Sequence, residues 1–291
     1  MVTIPAAVVA DAGVAARAAA DRYGLRVTEL SELDQFDRAV ALMRSVWRVG
    51  PGEEPVNVAL MRAFTHSGGY VVGAFVGHQM IGTAVAFLGD RHLHSHITGV
   101  ERGAQGKGVG FAIKQHQRAW ALRRGINRVA WTFDPLVRRN AYFNFVKLGV
   151  TVTEYLADFY GRLSDGINSG EASDRLYVNW QLDSPAATAA AAGEPATINP
   201  PHPRVLLGTT ADDGAGTEEP VMRSEPLVGA GPVLVAVPED VEMLRRRKPA
   251  TAARWRYAVR EALISAFDSG YRIVGMTGSG RYVLSAERRS S

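Results

Sequence analysis

The stretch that decides the fold reads Val100-Glu101-Arg102-Gly103-Ala104-Gln105-Gly106-Lys107-Gly108-Val109-Gly110. Glycines at 106, 108 and 110 let the backbone approach a ligand with no Cβ in the way. A helical apolar pattern follows. The amides of this corner therefore converge at the positive end of a helix, which suits a pyrophosphate. Lys107 adds charge. A corner of this kind also serves as a plain strand-to-helix connection, so its meaning depends on its neighbours.

Upstream, residues 70–76 read as a strand, Gly77-His78 as a turn, 80–88 as the returning strand, and Gly89-Asp90 as a second turn. Residues 92–100 form a third strand. Three strands joined by such short turns make an antiparallel meander. A dinucleotide corner would instead follow the first strand of a parallel βαβ unit. A triphosphate loop would end in Gly-Lys-Ser/Thr, which is absent here.

Downstream, Val109, Ile113, His116 and Trp120 mark one face of a helix over 109–124, and Gly125 ends it. Residues 128–133 read as a strand. Asp134-Pro135 is expected to open another helix, with Asp as N-cap and Pro at the first position. Its buried face carries Val137, Ala141, Phe145 and Leu148, and Gly149 stops it. Strands follow at 150–155 and 176–182. Ahead of the meander lie a strand at 25–30, a helix capped by Ser31 with Leu33, Phe36, Val40 and Met43 on one face, and a helix between 53 and 65. The order β-α-α-β-β-β-loop-α-β-α-β-β predicts an α/β chain, with a central mixed antiparallel and parallel sheet and helices on both faces.

The domain reading is an N-terminal extension at 1–22, a main domain at 23–183, a linker or flexible loop at 184–230, and a small C-terminal α/β extension at 231–291. The linker reading rests on the alanine run 186–192 and on Pro195, Pro200, Pro201 and Pro203. In the extension, 233–237 reads as a strand. Ala252, Trp255, Val259, Leu263 and Ala266 mark a helix, and 271–276 with 281–284 suggests a hairpin. So small a piece is marginal alone. It is expected to pack on the main domain or on a second subunit, the latter giving a homodimer.

The 291 residues are 46% hydrophobic and 21% charged, enough for a generous core. Cysteine is absent, which excludes disulfides, thiolate metal sites and cysteine nucleophiles. The net charge of +4 favours anionic ligands in a general way. The basic residues are scattered with no stripe of interleaved aromatics, so no nucleic-acid partner is expected. No apolar run reaches the ~20 residues of a membrane helix. Residues 1–17 lack the early basic residues of a signal peptide. The expectation is a soluble, cytoplasmic protein with no membrane partner.

With these elements in place, the chain resembles the GNAT superfamily of acyl-CoA N-acyltransferases. Gln105-Gly106-Lys107-Gly108-Val109-Gly110 is similar to that family's Arg/Gln-x-x-Gly-x-Gly/Ala pyrophosphate loop. Asn140-Ala141-Tyr142-Phe143-Asn144-Phe145-Val146-Lys147-Leu148-Gly149 resembles its second motif, a helix ending in Lys-Leu-Gly. The match in order and spacing covers roughly residues 25–182. Phe133-Asp134-Pro135-Leu136, Arg139-Asn140-Ala141 and the Trp255-Arg256 helix resemble a bacterial subgroup with a C-terminal extension. Some similar proteins acylate amino acids, including by N-succinylation.

The resemblance implies a GNAT-like fold and an acyltransferase using acetyl-CoA or another acyl-CoA as co-substrate, without a metal. It implies that acyl-CoA wedges between splayed parallel strands near 97–100 and 129–133. Thr98, Val100, the loop residues Gln105 to Gly110, Asn140, Phe143 and Lys147 would meet the cofactor. A backbone amide near Val100 would stabilise the oxyanion. A primary amine of a small molecule would attack directly, with a base taking its proton.

The base candidates are His94 and His96. On a regular strand His92, His94, His96, Thr98 and Val100 share one face. Histidine titrates near neutrality, and serotonin-type members carry a similar His-x-His at this distance. Structural histidines, or a metal held by the three, are the alternatives. The family's usual acid is a tyrosine on the second-motif helix; here Phe145 stands in its place, and Tyr142 one turn earlier is the substitute. Trp131, Phe133 and Asp134 are candidates to line the acyl or amine pocket. Arg256 and Arg272 are candidates for a substrate carboxylate. A catalytically inactive CoA-binding sensor or interaction module is the competing reading.

Overall fold

The computed structural model describes residues 3–161, 172–194, 196–210, 219–223 and 231–286. Helix α1, Ala6–Asp21, opens the chain, followed by strand β1, Arg26–Glu29. Helix α2, Leu33–Trp47, is capped by Glu32 rather than Ser31. The Glu32 side chain and Gln35 form a reciprocal capping box, and the Ser31 amide also donates to Gln35 Oε1. A longer acidic side chain thus outcompetes the serine beside it.

Helix α3, Val58–His66, starts on Asn57, whose side chain accepts from the Leu60 amide. Strands β2, Tyr70–Val76, β3, Gln79–Gly89, and β4, His92–Val100, form the expected meander. Helix α4, Val109–Arg123, and strand β5, Arg128–Phe133, follow. Helix α5 spans only Arg138–Tyr142 and continues as a π-type turn, Phe143–Leu148, stopped by Gly149 at φ 70°. Asp134 does not cap it; Val137 holds the N-cap position, with no side-chain hydrogen bond there.

Strands β6, Thr151–Leu156, and β7, Arg175–Gln181, complete a seven-stranded mixed sheet of order β1-β2-β3-β4-β5-β7-β6. Within 184–230 the described residues form three elements. Helix α6, Pro185–Ala191, has Ser184 as N-cap and Pro185 at its start. Strands β8, Arg204–Thr209, and β9, Pro220–Met222, follow. An alanine run with a proper cap is a strong helix former despite its low complexity. The polar stretches 211–218 and 224–230 lie outside the described residues. Strand β10, Val233–Val235, helices α7, Val241–Arg247, and α8, Pro249–Asp268, and strands β11, Tyr271–Met276, and β12, Tyr282–Ala286, end the chain. They supply a second sheet of order β11-β12-β10-β8-β9. Helix α7 was not anticipated by the sequence reading.

The chain divides into two compact units. The first is built chiefly from Met1–Trp131 and Asn179–Ala192, the second chiefly from Thr132–Ser164, Asn168–Val178 and Gly193–Ser291. The boundary therefore falls inside the segment 23–183. In the first unit, Leu30, Phe36, Ala39, Val40, Met43 and Val85 are buried together, with Ile97 and Trp47 packed against them. In the second, Phe145 lies between Phe133 and Tyr282, both edge-on, and the Tyr282 hydroxyl donates to Pro135 O at 2.8 Å. The C-terminal extension is thus packed on the segment that follows β5.

Candidate active site

The first unit carries the glycine corner. Past Val100 the chain makes a short 3₁₀ turn, Arg102–Ala104, and Gln105 folds back so that its amide donates to Val100 O at 3.1 Å. Gly106 and Gly108 sit at φ 77° and 80°, the left-handed region where a side chain is strained. At Gly108 a Cβ would also lie 2.1 Å from the Tyr23 ring. No side chain caps α4, so the amides of its first turn have no intrahelical acceptor. Gln105, Gly106 and Lys107 are exposed, Gly108 and Gly110 half-buried, and Val109 buried. This is a corner with spare donors and one close approach that only glycine permits.

Strands β4 and β5 pair in parallel only at Leu93↔Val129 and His94↔Ala130. Beyond that, β4 runs on to Val100 without β5. The Glu101 amide donates to Ile81 O on β3 at 2.9 Å. Successive amides on an extended strand point to opposite edges, so the Val100 amide faces the edge that β5 has left. A polar donor is thereby presented at the open edge, directly ahead of the glycine corner.

At the vertex of this opening stands a residue the sequence reading did not single out. Lys114 on α4 is 5% exposed; its Nζ donates to Ser95 Oγ at 2.8 Å and Gln117 Oε1 at 3.1 Å, and lies 3.9 Å from the centre of the Trp131 ring. Ser95 and Trp131 are the first residues past the last pair. Burial pushes the Lys114 ammonium down to about 7. Trp131 is itself buried, edge-on to Trp180. The only hint in the sequence was a lysine between apolar positions on a helix.

The histidine strand departs from simple alternation. Ser95 pairs with Ala86 and Ile97 with Val85, so His96 is the extra residue of a bulge. His94 and His96 both touch Phe87, at 4.9 and 5.8 Å between ring centres. After the bulge Ile97 joins the α2 core and Gly99 lies against Trp47. Thr98 and Val100 are therefore on the opposite face from the histidines, together with Gly82, which lies against Val109 and Ile113 of α4. The expectation of one shared face holds for the three histidines and fails for Thr98 and Val100.

His94 is half-buried. Burial, with His96, His92 and Lys114 nearby, lowers it to about 4. His96 is exposed by surface, yet desolvation still lowers it. Both are neutral at pH 7, the form that accepts a proton. The three rings stand 6.4 and 6.3 Å apart, and no cluster of three metal-ligating side chains occurs among the described residues.

The second unit carries the remaining sequence candidates. Tyr142 and Phe143 are half-buried, and Asn140 and Lys147 are exposed. Phe133 is buried against Phe145. Asp134 is buried with both oxygens engaged. Oδ1 accepts from the Leu136 amide and from Arg256 at 2.7 Å; Oδ2 accepts from Arg256 at 2.7 Å and Arg245 at 2.8 Å. Burial would raise its pKa, but the two guanidinium groups hold it well below the usual carboxylate range. Asp134 is thus a structural ion-pair centre, with no oxygen left for an amine. Both terminal nitrogens of Arg256 are held by Asp134, and Arg272 donates to the Phe267 and Tyr271 carbonyls. Neither is an open carboxylate ligand.

Residues 36–149 match the family described as acetyltransferase (GNAT). No curated protein matches the chain in sequence. Among solved structures, the ribosomal-protein-S18-alanine N-acetyltransferase of Escherichia coli is similar at 11% identity and TM-score 0.47, over 55% of this chain and 95% of that one. An IAA acetyltransferase of Bacillus cereus is similar at 14% identity and TM-score 0.43, over 54% and 99%. A GNAT family acetyltransferase of Elizabethkingia anophelis with acetyl-CoA bound is similar at 13% identity and TM-score 0.43, over 54% and 98%. No helix among the described residues is long and apolar enough to cross a membrane.

Proposed function

We propose that residues 36–149, which match the acetyltransferase (GNAT) family, form an acyltransferase domain, and that the chain transfers an acetyl or other short acyl group from acyl-CoA to a primary amine of a small molecule. The observation that carries this reading is the early end of β4–β5 pairing at His94↔Ala130, immediately ahead of an uncapped glycine corner. A pantetheine arm needs such a gap, and a pyrophosphate needs such a corner.

Acyl-CoA supplies the activated thioester. The amides of the Gly106–Gly110 corner hold the pyrophosphate, and Lys107 adds charge. The Val100 amide donates to the thioester carbonyl as negative charge develops there. Neutral His94 or His96 receives the ammonium proton, directly or through water, before the free amine attacks. Phe145 cannot protonate the departing thiolate. Tyr142 is the remaining tyrosine on that helix, and a CoA thiolate also leaves without help.

The competing reading, a CoA-binding sensor without turnover, draws on Phe145 and on the low basicity of His94. One experiment separates the two. Acyl-CoA should raise the melting temperature of the wild type, Gly108→Glu should abolish the effect, and a thiol-release screen across amines should find turnover. Equal protection in the variant defeats the cofactor site. Protection without thiol release for any amine favours the sensor.

A further inference from the structure

The second unit contains a guanidinium that the internal ion pairs do not use. Arg175, the first residue of β7, is 8% exposed. Its one hydrogen bond among the described residues runs from Nη1 to the backbone oxygen of the adjacent Asp174, at 2.9 Å. Its guanidinium lies 5.3 Å from the centre of the Tyr160 ring. The nearest carboxylates are committed elsewhere. Asp134 is held by Arg245 and Arg256, and Asp174 is held by Arg260 and accepts the Tyr155 hydroxyl. A buried cation without a counter-ion costs several kcal/mol, and a protein keeps one where a ligand supplies the missing charge.

The surroundings are built rather than incidental. The Tyr160 hydroxyl meets Thr132 Oγ1 at 3.1 Å, at the C-terminal end of β5. The Tyr160 amide donates to Ser173 Oγ at 2.7 Å, the Asp158 amide to Asp174 Oδ1 at 3.0 Å, and the Ser173 amide to Asp158 Oδ1 at 3.0 Å. These bonds clamp the two backbones that carry Tyr160 and Arg175. In addition Arg256 Nε is buried with no partner, so donors remain in excess around Asp134.

We propose that Arg175, beside the Tyr160 ring, binds a carboxylate of a small-molecule ligand. A planar fork of N–H donors matches a carboxylate bidentately, as Arg256 already does with Asp134 in the same unit. Resting on the acyltransferase reading, the ligand is the acceptor: an amine that also carries a carboxylate.

The test compares amino acids with their matched amides as acceptors, in wild type, Arg175→Gln and Arg175→Lys. Thermal stabilisation by acetyl-CoA is measured in parallel. The expected result is a wild-type kcat/KM preference for acids of about 10²-fold, lost in Arg175→Gln and only partly kept in Arg175→Lys, with acetyl-CoA stabilisation intact in all three. A second arm reads binding alone. N-acetylamino acids should raise the wild-type melting temperature, their amides should not, and Arg175→Gln should lose the effect. Amides used as well as acids, or stabilisation by N-acetylamino acids that survives in Arg175→Gln, overturns the proposal. So does an inorganic phosphate effect larger than that of the carboxylates. Absence of acetyl-CoA stabilisation would instead strike the acyltransferase reading, leaving the binding arm to judge Arg175.

Discussion

The Nζ of Lys114 donates to Ser95 Oγ at 2.8 Å, and Ser95 is the first residue of β4 beyond its last pair with β5. A buried amine thus props the vertex at which the two strands part. Its other neighbours, Gln117 Oε1 and the Trp131 ring, satisfy the ammonium without neutralising it.

Lys114 therefore makes stability depend on pH. Its folded pKa of about 7 lies below the ordinary lysine value of 10.5, so between these values the unfolded chain binds more protons and stability rises with pH. Below about pH 7 both states are charged and the full burial cost is present. Replacement by methionine should flatten the profile and raise stability at pH 6 more than at pH 9. Urea melts of both proteins at pH 6, 7.5 and 9 check this; a parallel offset at all three values would contradict it.

His94 and His96 should act as bases without an acid limb near neutrality. With His94 lowered to about 4, kcat/KM corrected for amine protonation should show no break between pH 5 and 7 if His94 is the base. The double change to glutamine should cut turnover about 10²-fold or more while acyl-CoA stabilisation persists. Unchanged turnover removes both from the mechanism.

Asp134→Asn should be costly for reasons unrelated to catalysis. It strips the counter-ion from Arg245 and Arg256, both buried. Loss of one partner in such a cluster costs about 3–5 kcal/mol, or a melting temperature lower by roughly 10 °C. Because the carboxylate is held below its ordinary range, its contribution is present above about pH 4 and is lost as pH falls. Calorimetry at pH 7 and pH 3.5 should show the gap between wild type and variant narrowing in acid.

Phe145→Tyr should not restore an acid. The ring sits between Phe133 and Tyr282, 6% exposed. An added hydroxyl there would lack a partner and cost about 1–3 kcal/mol. The expected outcome is lower stability with no gain in kcat; a faster enzyme would place the leaving thiolate at that ring.

The meander, the glycine corner and the two helices around it were legible in the sequence because they are written in local terms. Val109, Ile113 and Trp120 keep helical period, and Gly106 and Gly108 announce a left-handed backbone. The helix α6 was not read from 186–192, because low complexity masked a capped alanine helix. Asp134 showed a capping pattern in the sequence. Its fate depended on arginines more than a hundred positions away.

The sequence by itself determined the order of elements and the backbone corner, since turns, caps and periodicity act over a few residues. Tertiary structure alone decided which charges meet. The bulge at His96 turned Thr98 and Val100 to the other face, burial lowered Lys114, and the pairing of Asp134 with Arg245 and Arg256 left Arg175 with no carboxylate partner among the described residues. Electrostatic fate in a protein interior is set by distance and desolvation, and neither is encoded in the spacing of letters along a chain.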